Sequence, residues 1–310
     1  MLTEKIHIRL ASINNCMSRR DASMNRLTSL GVGGCAELLM IPETKEALGE
    51  ILGLSREHTL PVVFLGRGFN SLVLDGGVEG IVIALWKMRS ITENDDGTLY
   101  IGAGLSHSAV THFCITNGLS GLEFTCGIPG TAGGWIAMNA GIPESEVGSL
   151  LISADLVTPD GPIAMSAEDL CFHYRGVAGL PADSAIVGGT FGIEKTDPER
   201  VNSSVRKFLA QRSRTQPLNQ PSCGSVFKNP PGNSAGRLIE EAGLKGARRG
   251  RALISTKHAN FIVTEKGATS GDVVALIDLA RNRVFETTGI LLTTEVRILG
   301  VPDSSSNEER

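Results

Sequence analysis

Ser225 lies in PSCGSVFKNP, residues 221–230, where two prolines bracket a Cys-Gly-Ser turn and a Phe-Lys-Asn run follows. A hydroxyl between a flexible glycine and a lysine could be a nucleophile, a phosphate ligand, a proton donor or only a turn residue. Lys228 and Asn229 add donors suited to a carboxylate or a diphosphate. A hydrolytic triad has little support, because Ser225 is not in a GxSxG elbow and no His and Asp stand in matching motifs. His258, in STKHANFIV, is the one histidine in a motif-like stretch, and it reads as a structural hydrogen-bonder. Arg175 in CFHYRG and Glu295 in TTEVRILG are charges beside strand-like apolar residues, which suits a surface ion pair as readily as catalysis. LKGARRGR, 244–251, concentrates four cations in seven residues. It is either a solvated loop or the rim of an anionic substrate's site.

Two glycine loops add a second kind of chemistry. FLGRGFNSLVLDGG, 64–77, follows a strand-like run and can present backbone N–H groups to an anion. It lacks the third glycine of a dinucleotide GxGxxG, and no helix is expected after it. TCGIPGTAGGWIAMNAG, 125–141, packs glycines and a proline around Ile128 and Trp135, without the Lys-Ser/Thr of a P-loop. Either loop alone suits a tight turn between strands. Together they favour a large phosphate-bearing cofactor lying along backbone. Glycine is also the one compositional excess, 37 of 310 residues, about 12% against a usual ~7%.

The elements that must position these groups follow from periodicity. PETKEALGEIL reads as a helix, PVVFLG as a buried strand feeding the first glycine loop, and GIVIAL as another strand. TLYIGAG, SADLVTP, DGPIAMS and SAIVGGTFGIE read as short strands between glycine turns. LSHSAVTHFCITNG reads as a helix stopped by Gly118. VNSSVRKFLAQRSRTQP forms a helix closed by Pro217, and SAGRLIEEAGLKG another with Gly243 as its stop. HANFIVTE and LLTTEVRILG read as strands. Between them Val273, Leu276, Ile277, Ala280 and Val284 share one face of an amphipathic helix. The order of elements indicates α+β rather than regular βαβ winding. Residues 1–25 are polar and basic without periodicity and read as an N-terminal extension, and 301–310 as a disordered tail.

Bulk properties exclude several classes. A formal charge of -4, with ten Phe, two Tyr and two Trp, gives no basis for nucleic-acid binding. The six cysteines form no CxxC pair and no zinc spacing, so no metal is expected, and they read as reduced, half-buried apolar residues of a cytoplasmic protein. Charges interrupt the N-terminal run, so no secretory signal is expected. No run approaches the ~18 apolar residues of a membrane span.

The ordered blocks LGRGFNSLVLDGG, CGIPGTAGGWIAMNAG, CFHYRG, PSCGSVFKNPPGNSAGRLIEEAGLKG, STKHANFIVTE and TTEVRILG resemble the UDP-N-acetylenolpyruvoylglucosamine reductase (MurB) family, from about Asn25 to Gly300. The resemblance implies a vanillyl-alcohol-oxidase/PCMH-type FAD-binding domain in two subdomains over 26–200, then an α+β substrate domain over 201–300. It implies NADPH-dependent reduction of UDP-N-acetylglucosamine enolpyruvate to UDP-N-acetylmuramate through non-covalent FAD, in peptidoglycan synthesis, and so a part in cell-wall biogenesis, cell shape and division. FAD would be held by Gly66, Arg67, Gly68, Phe69, Asn70 and Ser71 and by Gly127, Ile128, Pro129, Gly130, Thr131, Gly133 and Gly134. Ser225 would be the proton donor, with Arg175 and Glu295 completing the catalytic set. Lys228, Asn229 and Tyr174 would contact substrate. The protein is expected to act as a monomer in the cytoplasm, with no nucleic-acid or membrane partner.

Three departures from the family pattern stand out. Phe69 replaces a serine, the serine usual two residues after the YR pair is missing beyond Gly176, and Thr294 replaces a proline. The short path from Arg175 to Ser225 leaves little room for the tyrosine-bearing loop of some members, which points to the shorter subclass. Two rivals stay open. One is a flavin oxidase of the same fold, which predicts fast oxygen reaction and often covalent flavin. The other is a non-catalytic UDP-sugar-binding module, against which the joint presence of Arg175, Ser225 and Glu295 argues.

Overall fold

The computed structural model describes residues 2–303. The chain forms two compact units that are interleaved along the sequence. One comprises 1–19, 38–66 and 80–212, the other 20–37, 67–79 and 213–310.

Helix ends are set by local chemistry. Helices α1 (Glu4–Ala11), α2 (Lys45–Glu57) and α3 (His107–Asn117) each begin behind a Ser or Thr in extended backbone. Thr3, Thr44 and Ser106 accept a first-turn N–H there. Further along are α4 (Ala132–Ala137), α5 (Pro198–Thr215), α6 (Ala235–Glu241) and α7 (Ser270–Thr288). Thr269 and Asp272 form a reciprocal capping box at the start of α7. Helices α3 and α7 stop on Gly118 and Gly289 in left-handed backbone.

The first unit is built on a five-stranded antiparallel sheet, ordered Gly161–Ser166, Leu151–Thr158, Ala185–Gly192, Thr98–Gly102, Ile91–Glu93. The core on this sheet includes Trp135 and Ile136 of α4 with Phe191 and Leu156. A second core packs Leu10 of α1 and Leu48, Ile51 and Leu52 of α2 against Leu38, Met40, Ile81 and Ile83. Here Val62–Leu65 runs parallel to Val78–Ala84, pairing Val62 with Ile81 through Leu65 with Ala84.

In the second unit α6 and α7 cover a small sheet of Arg248–Arg249, Ala252–Ile254 and Ile262–Thr264. Val273, Leu276, Ile277, Ala280 and Val284 of α7 are all buried, as their spacing predicts. Arg297–Leu299 pairs in parallel with Ser71–Val73. The Asp75 carboxylate, just beyond, accepts the Ser270 N–H at 3.0 Å and so tethers the start of α7.

Several expectations need correction. The stretch 1–25, whose sequence shows no periodicity, carries α1 and the strand Cys16–Ser23. Helix α1 has only eight residues and buries only Leu10, too little for a periodic signal. The glycine-rich run 125–141 contains α4, whose stability comes from Trp135 and Ile136 in the core rather than from propensity. In HANFIVTE only Ile262–Thr264 is strand, and in LLTTEVRILG only Arg297–Leu299. All six cysteines are free thiols, but Cys35 and Cys171 are exposed rather than half-buried. Residues 304–310 of the expected tail lie outside the described residues.

Candidate active site

In the second unit, Ser225 sits between apolar anchors. Cys223, Val226 and Phe227 are buried in the core with Leu238, Ile262 and Val296, while Ser225 itself is half-buried. Gly224 lies at φ +77°, a left-handed conformation that reverses the chain sharply and favours glycine. Immediately after the serine, the Val226 carbonyl accepts the Glu295 N–H at 2.8 Å and the Val296 N–H at 3.3 Å. The Lys228 N–H donates to the Thr293 carbonyl at 2.9 Å, and Phe227 bridges Thr294 in antiparallel fashion. Ser225 and Glu295, 70 positions apart in the sequence, thus stand on neighbouring, hydrogen-bonded segments. The bonds of this ladder use the Thr293 carbonyl and the Glu295 N–H, on either side of Thr294, and not the Thr294 N–H. A proline at 294 would therefore remove none of these bonds.

The glycine loop 67–71 joins the same cluster. The Asn70 side chain donates to the Glu295 carbonyl at 3.2 Å, and the Arg297 N–H donates to the Asn70 carbonyl at 3.1 Å. Ser71 pairs with Arg297. The Gly68 carbonyl accepts both the N–H and the hydroxyl of Ser29 at 3.1 Å. Phe69 contributes backbone rather than a hydroxyl, its carbonyl 4.0 Å from where a Gly224 Cβ would sit. Burial pushes the Cys223 thiol up to about 12, with the Glu295 carboxylate adding to the rise, so Cys223 is an inert apolar neighbour of the acid. Asn229 Oδ1 accepts the Ala235 N–H at 3.0 Å, which ties it to the first turn of α6.

In the first unit Arg175 stands out. It is half-buried, at φ +58°, a conformation that costs a non-glycine residue about 1–3 kcal/mol and persists where surroundings enforce it. Its guanidinium donates to the Gly141 carbonyl at 2.7 Å and the Asn139 carbonyl at 3.4 Å, and lies 5.1 Å from the Tyr174 ring centre. Asn139, fully buried, holds the arrangement: its Nδ2 donates to the His173 carbonyl at 3.1 Å and its Oδ1 accepts the Gly148 N–H at 2.9 Å. A Cβ at Gly176 would meet the far end of the exposed His173 ring, which would have to turn aside to admit a side chain there.

The second glycine loop meets the first within this unit. A Cβ at Gly66 would lie 2.8 Å from Thr131 Oγ1, and the Trp86 indole donates to the Gly66 carbonyl at 2.6 Å. Trp135 Nε1 donates to the Ile128 carbonyl at 3.1 Å and fixes the approach to Pro129. Gly130 is at φ +128° with no atom within 4 Å of its Cβ position, so its backbone borders open space. The Gly133 N–H is spent on the Ala103 carbonyl at 3.0 Å, while Gly134 is exposed. Open glycine backbone at Gly130 fits an anionic group held through main chain. Arg212, half-buried with its Cδ 3.9 Å from the Gly127 Cβ position, places a cation beside this loop, and burial depresses its guanidinium from the ordinary value.

Sequence reasoning missed Asn139 and Arg212. Asn139 had a signal, since an Asn in a Gly-Ala-rich run suits a left-handed turn, and it adopts φ +41°. Arg212 was hidden among the other cations of α5. The cationic stretch 244–251 is largely engaged: Arg248 pairs with Glu265 at 2.9 Å and Lys245 with Glu240 at 2.7 Å.

The chain as a whole is similar to known proteins. Residues 216–299 match the model described as UDP-N-acetylenolpyruvoylglucosamine reductase, C-terminal domain, and residues 36–165 match an FAD binding domain. A UDP-N-acetylenolpyruvoylglucosamine reductase of Myxococcus xanthus is 39% identical over 296 residues, covering 94% of this chain and 95% of that one. One of Heliobacterium modesticaldum is 42% identical over 281 residues, 89% of each chain. The crystal structure of the Thermus caldophilus reductase superposes with a TM-score of 0.79 at 33% identity, over 92% of this chain and 98% of that one. A variant of BBE-like 1 from Physcomitrella patens, 14% identical with a TM-score of 0.59 over 93% of this chain, shares the fold. The α+β architecture with an FAD-binding domain is therefore shown on both grounds.

Proposed function

Because the chain belongs to the UDP-N-acetylenolpyruvoylglucosamine reductase (MurB) family, we propose that it reduces UDP-N-acetylglucosamine enolpyruvate to UDP-N-acetylmuramate in peptidoglycan synthesis. NADPH is the donor and non-covalent FAD the cofactor. The observation that carries this reading is the Ser225–Glu295 ladder, which sets a hydroxyl and a carboxyl on adjacent segments beside the Asn70 loop.

Bound FAD supplies the two-electron relay from NADPH to the enolpyruvyl double bond. The chain's own residues handle the charge and the proton. Hydride addition to that double bond drives negative charge toward the substrate carboxylate. Arg175, oriented by the Asn139 and Gly141 carbonyls, and Glu295, as a protonated donor, are suited to stabilise it. Ser225 gives its hydroxyl proton to the carbon next to the carboxylate. A serine hydroxyl is a weak acid, but it can serve a strongly basic carbanion when a cation such as Lys228 stabilises the alkoxide.

Gly66 to Ser71 and Gly127 to Gly134 hold FAD largely through backbone, with Phe69 supplying main chain where the family usually has a hydroxyl. Lys228, Asn229 and Tyr174 contact substrate. Among the described residues no helix is long and apolar enough to cross a membrane. The reading includes a monomer working in the cytoplasm, without nucleic-acid or membrane partners, in support of cell shape, the cell cycle and division. The domain assignment that goes with it is FAD binding over 26–200 and substrate binding over 201–300.

The test is the visible spectrum of the purified protein, taken anaerobically, then after NADPH, then after the enolpyruvyl substrate. A flavin spectrum that bleaches with NADPH and returns with the enol ether is expected. Bleaching reversed only by oxygen would replace the reading with an oxidase. Absence of flavin after reconstitution with FAD would leave a binding module.

A further inference from the structure

His258 and Asn260 lie in the turn before the strand Ile262–Thr264, and the chemistry outlined above gives them no part. Asn260 is 4% exposed, yet its polar groups are directed at the two residues that follow Ser225. Its backbone carbonyl accepts the Val226 N–H at 2.9 Å. Its Oδ1 accepts the Phe227 N–H at 2.9 Å, and its Nδ2 donates to the Phe227 carbonyl at 2.8 Å. The Asn260 N–H donates to His258 Nδ1 at 3.2 Å, and the His258 ring packs on Phe261 with centroids 4.7 Å apart.

The Asn260 amide reproduces, with a side chain, the paired N–H and C=O bonds of one antiparallel rung. The segment after Ser225 is therefore held on one side by Asn260 and on the other by the Glu295 and Val296 N–H groups on Val226. On the other flank of Ser225 lies Gly224, in left-handed backbone, where the chain gains the freedom of a missing side chain. The direction of the Ser225 hydroxyl consequently depends on the hold at 226 and 227. An apolar residue at 260 would fill the space but leave a buried N–H and a buried carbonyl unpaired.

We propose that Asn260 is a positioning residue that aims the Ser225 hydroxyl for proton donation, a proposal that rests on the reading of Ser225 as proton donor. The experiment compares full-length, FAD-loaded wild type, Asn260→Ala and Asn260→Asp, each also combined with Ser225→Ala. Asn260→Ala should slow anaerobic reoxidation of the NADPH-reduced protein by UDP-N-acetylglucosamine enolpyruvate by about 10- to 100-fold, the scale of a displaced reacting group. Reduction by NADPH should be unchanged. Asn260→Asp, which keeps an acceptor for the Phe227 N–H, should recover part of the rate, and it carries the comparison if the alanine variant does not retain FAD. Amide exchange in the peptide 221–230 should quicken in Asn260→Ala, and on the Ser225→Ala background the substitution should add no further loss of rate. Equal slowing of both half-reactions, or a full further loss on the Ser225→Ala background, would overturn the proposal. So would faster exchange with an unaltered rate. Failure of the wild-type protein to be reoxidised by the enol ether would instead overturn the functional reading, and this proposal with it.

Discussion

The Glu295 N–H donates to the Val226 carbonyl across 2.8 Å. That bond puts the residue after the candidate proton donor in register with the candidate carboxyl group, and Asn70 reaches the Glu295 carbonyl from the glycine loop at 3.2 Å. Three sequence blocks far apart in the chain share one backbone network. A change in any of them should be felt at the Ser225 turn before it is felt in the global fold.

Ser225→Ala removes the hydroxyl but none of the ladder bonds. Substrate-driven flavin reoxidation should slow by about 10²–10⁴-fold, as for a lost general acid, while reduction by NADPH stays near normal. Stopped-flow absorbance of the two half-reactions is the check. Equal damage to both would assign the effect to lost flavin or misfolding.

Arg175→Ala and Glu295→Gln should lower kcat more than they raise KM, because charge stabilised only in the transition state is lost from kcat and kcat/KM together. Steady-state kinetics with varied enol ether decides the matter. A change confined to KM would reduce both residues to substrate anchors.

Asn139→Ala should destabilise the protein and slow it. The substitution leaves the part-buried His173 carbonyl and Gly148 N–H without their amide partner, at a cost of about 1 kcal/mol each, the low end for an unpaired group because water can reach them in part. A lower urea midpoint with unchanged slope is expected, together with a lower kcat through the displaced Arg175. A variant as stable as wild type would show that this segment is held by its packing alone.

Burial lowers the His258 pKa from its ordinary value of 6.5, with nearby Lys245 lowering it further and Glu240 opposing. The unfolded chain therefore binds the proton more readily than the folded one, and stability rises with pH between the two values. The His258 contribution should be fully present above about 6.5, and it should be lost as pH falls through that value toward the lower folded one. Below it, protonation at Nδ1 would also remove the acceptor for the Asn260 N–H. Urea melts of wild type and His258→Gln from neutral to mildly acidic pH are the check. Wild type should lose stability faster than the variant as pH falls, and parallel curves would remove His258 from the explanation.

Much of this molecule is decided within short windows of sequence. Helix α7 follows from its apolar stripe, its Thr269 capping box and its Gly289 stop, all local and all additive. The glycine loops and the Ser225, Arg175 and Glu295 blocks are equally local patterns, which is why they could be named from the sequence. Tertiary structure alone decided what those patterns touch. Helix α4 exists because Trp135 and Ile136 have a core to enter, and α1 is likewise too short to show its face before Leu10 is buried. Asn70 and Asn260 act across 225 and 33 residues. No composition or periodicity marks an asparagine whose partners are main-chain groups so distant, because a backbone N–H or carbonyl looks the same beside every residue. Sequence determined which groups this protein carries, and the closing of long loops determined which of them meet.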